Sequence, residues 1–404
     1  MISGKELSLN EDIHERIKDS IAPSIYGMDW EKRALSMHLV GGNKKEYPDK
    51  TRVRGDIHIL IIGDPGTGKS QLLTYIASIA PHSILTSGKS TTNAGLTASA
   101  IRDDFGEGGW TIEAGALPLA DGGHVIIDEI DKMPEKDRTG MHEGMEQQKI
   151  NVSKAGLITS LNSRCAVLAG ANPKEGRFES YNSISDQIGL PSTLISRFDM
   201  VFPIKDEPNK KKDSELANHI LSQRDNPKEP KICRDLLRKY IAYARSNIKP
   251  RISEEAKKEI QNYYLEMRTL EKNLENNTIA ITPRQLESLI RMTEASAKLR
   301  LSQEASIEDA KYAIRIMRYY LGKITNESGI LDIDLIEIGS SHSQRFRANR
   351  LMKIINTKGE LNKEELEIEA HKVGYPLEKI NQDLKRLERE GRIFITPANK
   401  IKVN

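Results

Sequence analysis

Short apolar runs and stretches of helical periodicity alternate along the first half of the chain, and the alternation stops near Pro203. Ile57–Ile62, His124–Asp128 and Ala166–Gly170 are too short for helices and read as buried strands. Between them, Gln71–Ala80 places Leu72, Leu73, Ile76 and Ile79 with Ala80 on one helical face. Strands alternating with helices from Asp56 to about Pro203 predict an α/β sheet with crossover connections. Glu11–Ser20 and Asp29–Val40 read as helices leading into it, the second ending at Gly41-Gly42. From Asp206 to about Lys323 the strand signals cease, and helices are expected at Cys233–Asn247, Glu254–Leu274, Pro283–Leu301 and Ile307–Leu321. Thr282-Pro283-Arg284-Gln285 supplies an N-cap, a proline at the first helical position and a capping-box glutamine.

Residues 325–344 have the composition of a linker. Beyond it, helical patterns at Arg345–Asn356, Lys363–His371 and Leu377–Glu390 precede two strands, Arg392–Thr396 and Ile401–Val403, joined by Pro397–Lys400. Three helices followed by a hairpin describe a winged helix, a module that docks protein about as often as DNA. The expected organisation is an α/β core over 1–205, a helical lid over 206–324, the linker, and a winged helix over 345–404.

Two segments inside the core read as β-hairpins. Thr97–Arg102 and Trp110–Glu113 flank a glycine-rich tip at 103–109, and Lys149–Ser153 and Leu157–Leu161 flank Lys154-Ala155-Gly156. A lysine at a hairpin tip suits a backbone phosphate contact of the kind that makes up sequence-independent nucleic-acid binding. An ordinary solvated turn would also carry one.

Gly63-Asp64-Pro65-Gly66-Thr67-Gly68-Lys69-Ser70 follows the first strand and opens the first core helix, which continues with Gln71. That pattern, G-x-x-x-x-G-K-S, is a phosphate-binding loop. The glycines let backbone N–H groups turn toward the phosphates, and the helix N-terminus adds its positive end. Lys69 is placed for the β/γ oxygens and Ser70 for Mg²⁺. A strand ending in Asp128-Glu129 follows 59 residues after Lys69. Asp128 fits a carboxylate that holds Mg²⁺ through water, and Glu129 a base for the attacking water. A further strand ends in Asn172-Pro173, where Asn172 suits a γ-phosphate or water contact; alone, the pair would be a turn. Binding and hydrolysis of a nucleoside triphosphate are expected. Arg284, in the first turn of its helix, is free to point toward a phosphate or to be a plain surface arginine.

Composition narrows the class. The 404 residues are 37% hydrophobic and 29% charged, with no run approaching membrane-span length and no signal-peptide pattern at Met1–Glu6. Two cysteines, Cys165 and Cys233, offer neither a metal spacing nor a disulfide framework, which fits a reducing intracellular compartment. The net charge of +3 is small, but residues 345–404 carry 14 Lys and Arg against 9 Asp and Glu. A basic C-terminal module is compatible with nucleic acid, as is a solvated helical face.

Asp56–Gly66, Glu113–Leu117, Ala120–Gly123, Ile127–Met133, Met145–Lys149, Lys154–Gly156, Ala171–Pro173, Ser196-Arg197-Phe198-Asp199 and Thr282–Leu286 follow one another in a fixed order. This ordered set resembles the AAA+ core of the minichromosome maintenance (MCM) replicative helicases. The resemblance runs from about Ile21 to Lys323. It implies a homo-oligomeric ring, usually a hexamer, that uses ATP and Mg²⁺ at sites shared between neighbours. The resemblance further implies a ring that acts on single-stranded DNA in its pore and on fork duplex, on the chromosome, with initiation or loading factors as possible partners. Lys69, Ser70, Asp128, Glu129 and Asn172 then serve from one subunit. Arg197 matches the arginine finger of the next subunit and Arg284 the second sensor arginine, also supplied across the interface. Arg54 and Gln147 fall at positions resembling further interface residues. Lys154 matches the pore-hairpin lysine, and 103–109 the tip of the helix-2 insert. Ile130 stands where the family usually has phenylalanine, a packing change. The family's N-terminal oligonucleotide-binding region has no counterpart before Ile21, which suggests either a fragment or a protein without that domain.

Two rival readings remain open on the residues alone. One is a remodelling motor of the chelatase or transcription-activator kind, although the activator's Gly-Ala-Phe-Thr-Gly-Ala loop is absent. The other is a nucleotide-gated DNA-binding regulator built on the winged helix.

Overall fold

The computed structural model describes residues 13–102, 110–154, 156–179, 187–226, 228–272 and 282–325. Toward the C-terminus it describes 361–362, 365–366, 380, 384, 393–395 and 400–403. Two compact units are present, one spanning 1–268 with 281–327 and the other 269–280 with 328–404.

The first unit is built on a parallel sheet. In chain order its parts begin with α1 (Ile13–Ser20), α2 (Asp29–Val40), β1 (Ile59–Gly63), α3 (Lys69–Ile79) and β2 (Ser83–Ser87). They continue with β3 (Ala98–Arg102), β4 (Trp110–Ala114), β5 (His124–Asp128), α4 (Glu135–Gln147), β6 (Lys149–Lys154) and β7 (Leu157–Asn162). β8 (Ala166–Ala171) and β9 (Met200–Ile204) complete the strands used below. The sheet order is β9-β1-β8-β5-β2, every pairing parallel. β1 and β8 are buried at every position, as central strands covered on both faces must be, whereas the edge strand β2 is partly exposed.

Strand alternation separates two apolar cores. Ile59, Ile61, Ile126, Leu168, Met200 and Phe202 face one side, packing with α1–α3 and the helices that follow the sheet. Leu60, Ile62, Val125, Ile127, Val167, Ala169 and Val201 face the other, against Leu96, Leu117, Met141, Met145 and Ile150. The strands therefore lie between two apolar layers, which is why they read as unbroken apolar runs in the sequence.

After β9 come α5 (Lys210–Asp225), α6 (Arg234–Asn247), α7 (Glu254–Lys272), α8 (Pro283–Leu299) and α9 (Ile307–Thr325). The expected capping box of α8 forms: Thr282 Oγ1 accepts from the Arg284 N–H, and the Gln285 side chain accepts from the Thr282 N–H at 2.9 Å. No helix is expected between Asp206 and Cys233, yet α5 lies there. It buries no residue, so it lacks the apolar face that periodicity detects; its stop-and-start signal is Asn209, whose Oδ1 accepts from the N–H groups of Lys211 and Lys212 at 3.1 Å. A two-residue parallel pairing of Arg251-Ile252 with Glu304-Ala305 also joins the helical region, where no strand was expected.

Both hairpins form, β3 with β4 and β6 with β7, each antiparallel. The tip at 103–109 lies outside the described residues. In the second unit a three-stranded antiparallel sheet runs 361–362, 400–403, 393–395. Apart from Thr325, which ends α9, the predicted linker and most of the three helices before that sheet lie outside the described residues.

Candidate functional site

The chemistry-bearing residues collect at the two opposite ends of the sheet strands. At the C-terminal end of β1 the chain enters the loop Gly63–Gly68. Gly66 and Gly68 have φ of 83° and 84°, the left-handed region that side chains disfavour, and this turns the backbone inward over the start of α3. Lys69 is buried, and its ammonium donates to the carbonyls of Gly63 (2.6 Å) and Asp64 (2.7 Å) and to Thr67 Oγ1 (3.4 Å). Burial lowers its pKa, while Asp64, Asp128 and Asp131 pull the other way. The acids at the ends of the neighbouring strands thus lie within electrostatic reach of this lysine. Pro65, Gly66, Ser70 and Gln71 are exposed along the loop and the first turn of α3.

Asp64 braces the loop through its side chain. Its carboxylate accepts from Phe178 N (2.7 Å) and Asp206 N (2.8 Å), and its carbonyl accepts from Thr67 Oγ1 (2.8 Å). The side chain thus ties the loop to the segments after β8 and β9.

Asp128 ends β5, its Oδ1 accepting from the Glu129 N–H at 2.9 Å. Glu129 has φ 52°, a conformation costing a non-glycine residue about 1–3 kcal/mol and concentrated at working sites. The neighbouring strand makes this possible: Gly88 N donates to Asp128 O at 2.7 Å, and a Cβ at Gly88 would collide with the Glu129 carbonyl. Asn172 follows β8, with its N–H donating to Asp131 Oδ1 at 3.1 Å. Because β8 lies between β1 and β5, Asn172 sits between the phosphate loop and the acid pair.

These groups fit a triphosphate with a hard cation. A buried ammonium, a backbone cradle, an exposed hydroxyl at Ser70 and the Asp128 carboxylate form the oxygen-rich, partly hydrated donor set that Mg²⁺ accepts alongside phosphate oxygens.

The second collection lies at the N-terminal end of the strands. Met200 pairs with Ile59 and Ile204 with Gly63, so Arg197 and Arg54 lie before the strands begin and the phosphate loop after they end. Five residues of strand, about 13–15 Å, intervene. Arg197 Nε donates to His142 Nδ1 (3.1 Å), and its NH1 pairs with Glu146 Oε2 (2.7 Å). Arg284 NH2 pairs with the other oxygen of the same carboxylate, Glu146 Oε1 (2.9 Å), and its NH1 donates to Ser196 Oγ (3.2 Å). The two arginines, 87 positions apart in the chain, are thereby held together. They line a cavity of about 260 Å³ with Arg54, Glu146, Glu287 and Arg291.

Beneath them Asp199 is a buried hub. It accepts from Arg54 NH1 (2.9 Å), Arg291 NH2 (2.6 Å), the His58 N–H (2.7 Å) and the Ser288 hydroxyl. Burial alone would raise its pKa; Arg291 and Arg54 outweigh burial and hold the carboxyl far below the ordinary range. Arg54, expected at an interface, is mostly spent on this hub and on the Asp56 carbonyl (2.7 Å). Gln147 is exposed at the end of α4, while its neighbour Gln148 reaches inward to Asp56 at 2.8 Å.

Lys154 ends β6 and is exposed, but its ammonium is not free: it donates to the Ala98 carbonyl at 2.9 Å, tying one hairpin to the base of the other. Ile101, Trp110 and Ile158 stand exposed on the same pair of hairpins, Ile158 at 86%.

Residues 3–224 match the family model described as the MCM P-loop domain, and residues 235–321 that of the MCM AAA-lid domain. This chain belongs to the MCM family. It is 47% identical to the minichromosome maintenance protein MCM of Saccharolobus solfataricus over 96% of this chain and 57% of that protein. It is 39% identical to DNA replication licensing factor MCM4 of Arabidopsis thaliana over 96% of this chain and 46% of that one. For DNA replication licensing factor mcm5 of Dictyostelium discoideum the figures are 42%, 78% and 48%. The chain spans about half the length of these curated MCM relatives.

Several contributors to this MCM site escaped sequence reading. Gly88 carries no motif, since its function is the space it leaves for Glu129. Glu146 and His142 lie on one face of α4, four residues apart, a spacing that gains meaning only once Arg197 is seen beside them. Ile25 comes within 3.7 Å of the position a Gly68 Cβ would take, and Tyr26 OH donates to Glu215 on α5 at 2.7 Å. That segment flanks the phosphate loop without any periodic pattern to announce it.

Proposed function

We propose that this chain is the ATP-driven motor portion of an MCM-type replicative DNA helicase, acting as a homo-oligomeric, hexameric ring whose ATP sites are shared between neighbours. The observation that carries this reading is the segregation of the site. Lys69, Asp128, Glu129 and Asn172 lie at one end of the strands, Arg197 and Arg284 at the other, too far apart for either arginine to reach its own subunit's loop. A ring that sets one subunit's arginine end against the next subunit's phosphate loop completes each site.

In that arrangement the loop N–H groups and Lys69 bind and orient the phosphates, and Ser70 and Asp128 hold Mg²⁺. Those two residues would hold the cation, which would supply charge neutralisation for the phosphates. Glu129 orients the attacking water and takes its proton, and Asn172 positions that water against the γ-phosphate. Arg197 meets the charge that spreads over the equatorial oxygens, a contribution worth about 10³–10⁵ in rate where an arginine finger is used. Arg284 fixes the same phosphate from the lid side. Because hydrolysis requires the neighbour, it reports the state of the interface, and Lys154 on the adjoining hairpin grips DNA phosphates in the pore. The winged helix over 345–404 contributes regulation or docking.

Mixing tests the shared site. Arg197→Ala and Lys69→Ala proteins are each expected to be inactive, and mixed rings to recover part of the ATPase activity, because some interfaces then carry an intact Lys69 opposite an intact Arg197. Absence of recovery in rings shown to be mixed overturns the shared site. ATP-dependent strand displacement separates a helicase from a remodelling motor or a slow nucleotide-gated regulator.

A further inference from the structure

The ion pairs at the arginine end contain a group that neither hydrolysis nor DNA contact uses. Glu146 presents one carboxylate oxygen to each arginine, 2.7 Å from Arg197 and 2.9 Å from Arg284. It stands half exposed, with Arg284 equally so. Its place in the chain is as informative as its contacts. Glu146 is in the last turn of α4, and β6, the strand that ends in Lys154, begins three residues later at Lys149. One turn earlier His142 accepts from the same Arg197, so a single face of α4 grips this arginine twice.

We propose that Glu146 is a positioning residue that occupies the arginine pair in place of a phosphate, and that its displacement by the neighbouring subunit's triphosphate is passed through the end of α4 to the Lys154 hairpin. The proposal rests on the shared-site reading above. A carboxylate bridging two guanidiniums keeps them side by side and offsets their mutual repulsion, which prepares a fork for an incoming anion. Pairs to a half-exposed carboxylate are weak enough to exchange, the Arg284 pair most readily because both partners are half exposed, whereas a polyphosphate offers more charge and more acceptor oxygens to the same donors. Once phosphate takes both arginines, the last turn of α4 loses its hold on Arg284 and half of its hold on Arg197. The hairpin that continues from it is then free to shift.

Two measurements on the full chain test this. Glu146→Gln removes the competing charge at nearly constant shape, so the KM for ATP is expected to fall, by roughly three- to tenfold given the strength of such pairs. Glu146→Asp, which keeps the charge on a shorter stem, should fall between wild type and Gln. The second readout is transmission. Affinity for single-stranded oligonucleotide is measured with and without a non-hydrolysable ATP analogue. The nucleotide-dependent difference seen in wild type should shrink toward none in Glu146→Gln. A KM that is unchanged or raised, or a nucleotide effect on DNA affinity that persists undiminished, overturns the proposal. The mixing of Arg197→Ala with Lys69→Ala keeps the two ideas apart: recovery there, with Glu146→Gln behaving as wild type, removes the role of Glu146 and leaves the shared site standing. If the Gln variant does not fold, the Asp variant carries both readouts alone.

Discussion

At the scale of single residues, the site depends on backbone geometry as much as on reactive groups. Glu129 is held in a left-handed conformation at the end of β5, and Gly88, in the turn just after β2, leaves the room for it. Glu129→Gln is expected to bind ATP near normally and to lose turnover by about 10²–10⁴-fold, since the phosphate and metal contacts stay while the base goes. A filter-binding measurement beside a steady-state ATPase assay reads both halves of that outcome; turnover close to wild type would remove Glu129 from the base role. Gly88→Ala tests the geometry by itself. The added methyl group pushes Glu129 from its place without touching its chemistry, so nucleotide binding should persist while turnover falls by about tenfold or more, in line with the sensitivity of such sites to displacements near 1 Å. Unchanged turnover would mean that the strand end relaxes around the methyl group.

At the scale of elements, the two hairpins and the helix α5 show which local patterns speak for themselves. The hairpins were legible because alternation and glycine-bearing tips are short-range signals. Their relation to each other was not, and the Lys154–Ala98 contact joins segments 56 positions apart. That contact refines the expected function of Lys154. Gripping a DNA phosphate requires its ammonium to leave one backbone carbonyl, a modest exchange for a partly exposed group. Lys154→Ala should abolish strand displacement while leaving DNA-independent ATP hydrolysis within about threefold, and the salt dependence of single-strand binding should become shallower. Strand displacement normalised to ATP turnover is the measurement, and normal unwinding by the variant would shift the DNA grip elsewhere, with the 345–404 deletion as the comparison. α5 is silent in the sequence for a physical reason: a helix with no buried residue has no apolar stripe, and its N-cap asparagine alone is a weak signal.

At the scale of the whole molecule, Asp199 ties the core to the lid, because its partners come from the segments preceding β1 and from α8. Its folded pKa is depressed, so its contribution to stability is complete above the unfolded value of about 3.9 and is lost as pH falls below that value toward the folded one. Asp199→Asn should lower stability at pH 7 by about 3–5 kcal/mol, because Arg291 and Arg54 are left buried without their counter-charge. Urea unfolding at pH 7 and near pH 3 checks both magnitude and sign: the gap between wild type and variant should narrow at the acid end, and a gap independent of pH would show that the Asp199 charge is not what holds the lid.

The sequence by itself determined the parts that depend on neighbours along the chain. The phosphate loop is a contiguous strand–loop–helix signal, the acid pair sits at the end of an apolar run, and the cap of α8 is spelled in four consecutive residues. The ordered motifs also pointed to the MCM family, which the family models and the curated relatives then established. Tertiary structure alone decided what depends on distance through space. It placed Asn172 between the loop and the acids, turned Asp64 and Arg54 inward as braces, and gathered Arg197, Arg284 and Glu146 at the far end of the sheet. The reason is that a parallel sheet brings strand ends together by strand order, and that order is not written in the spacing between one strand and the next.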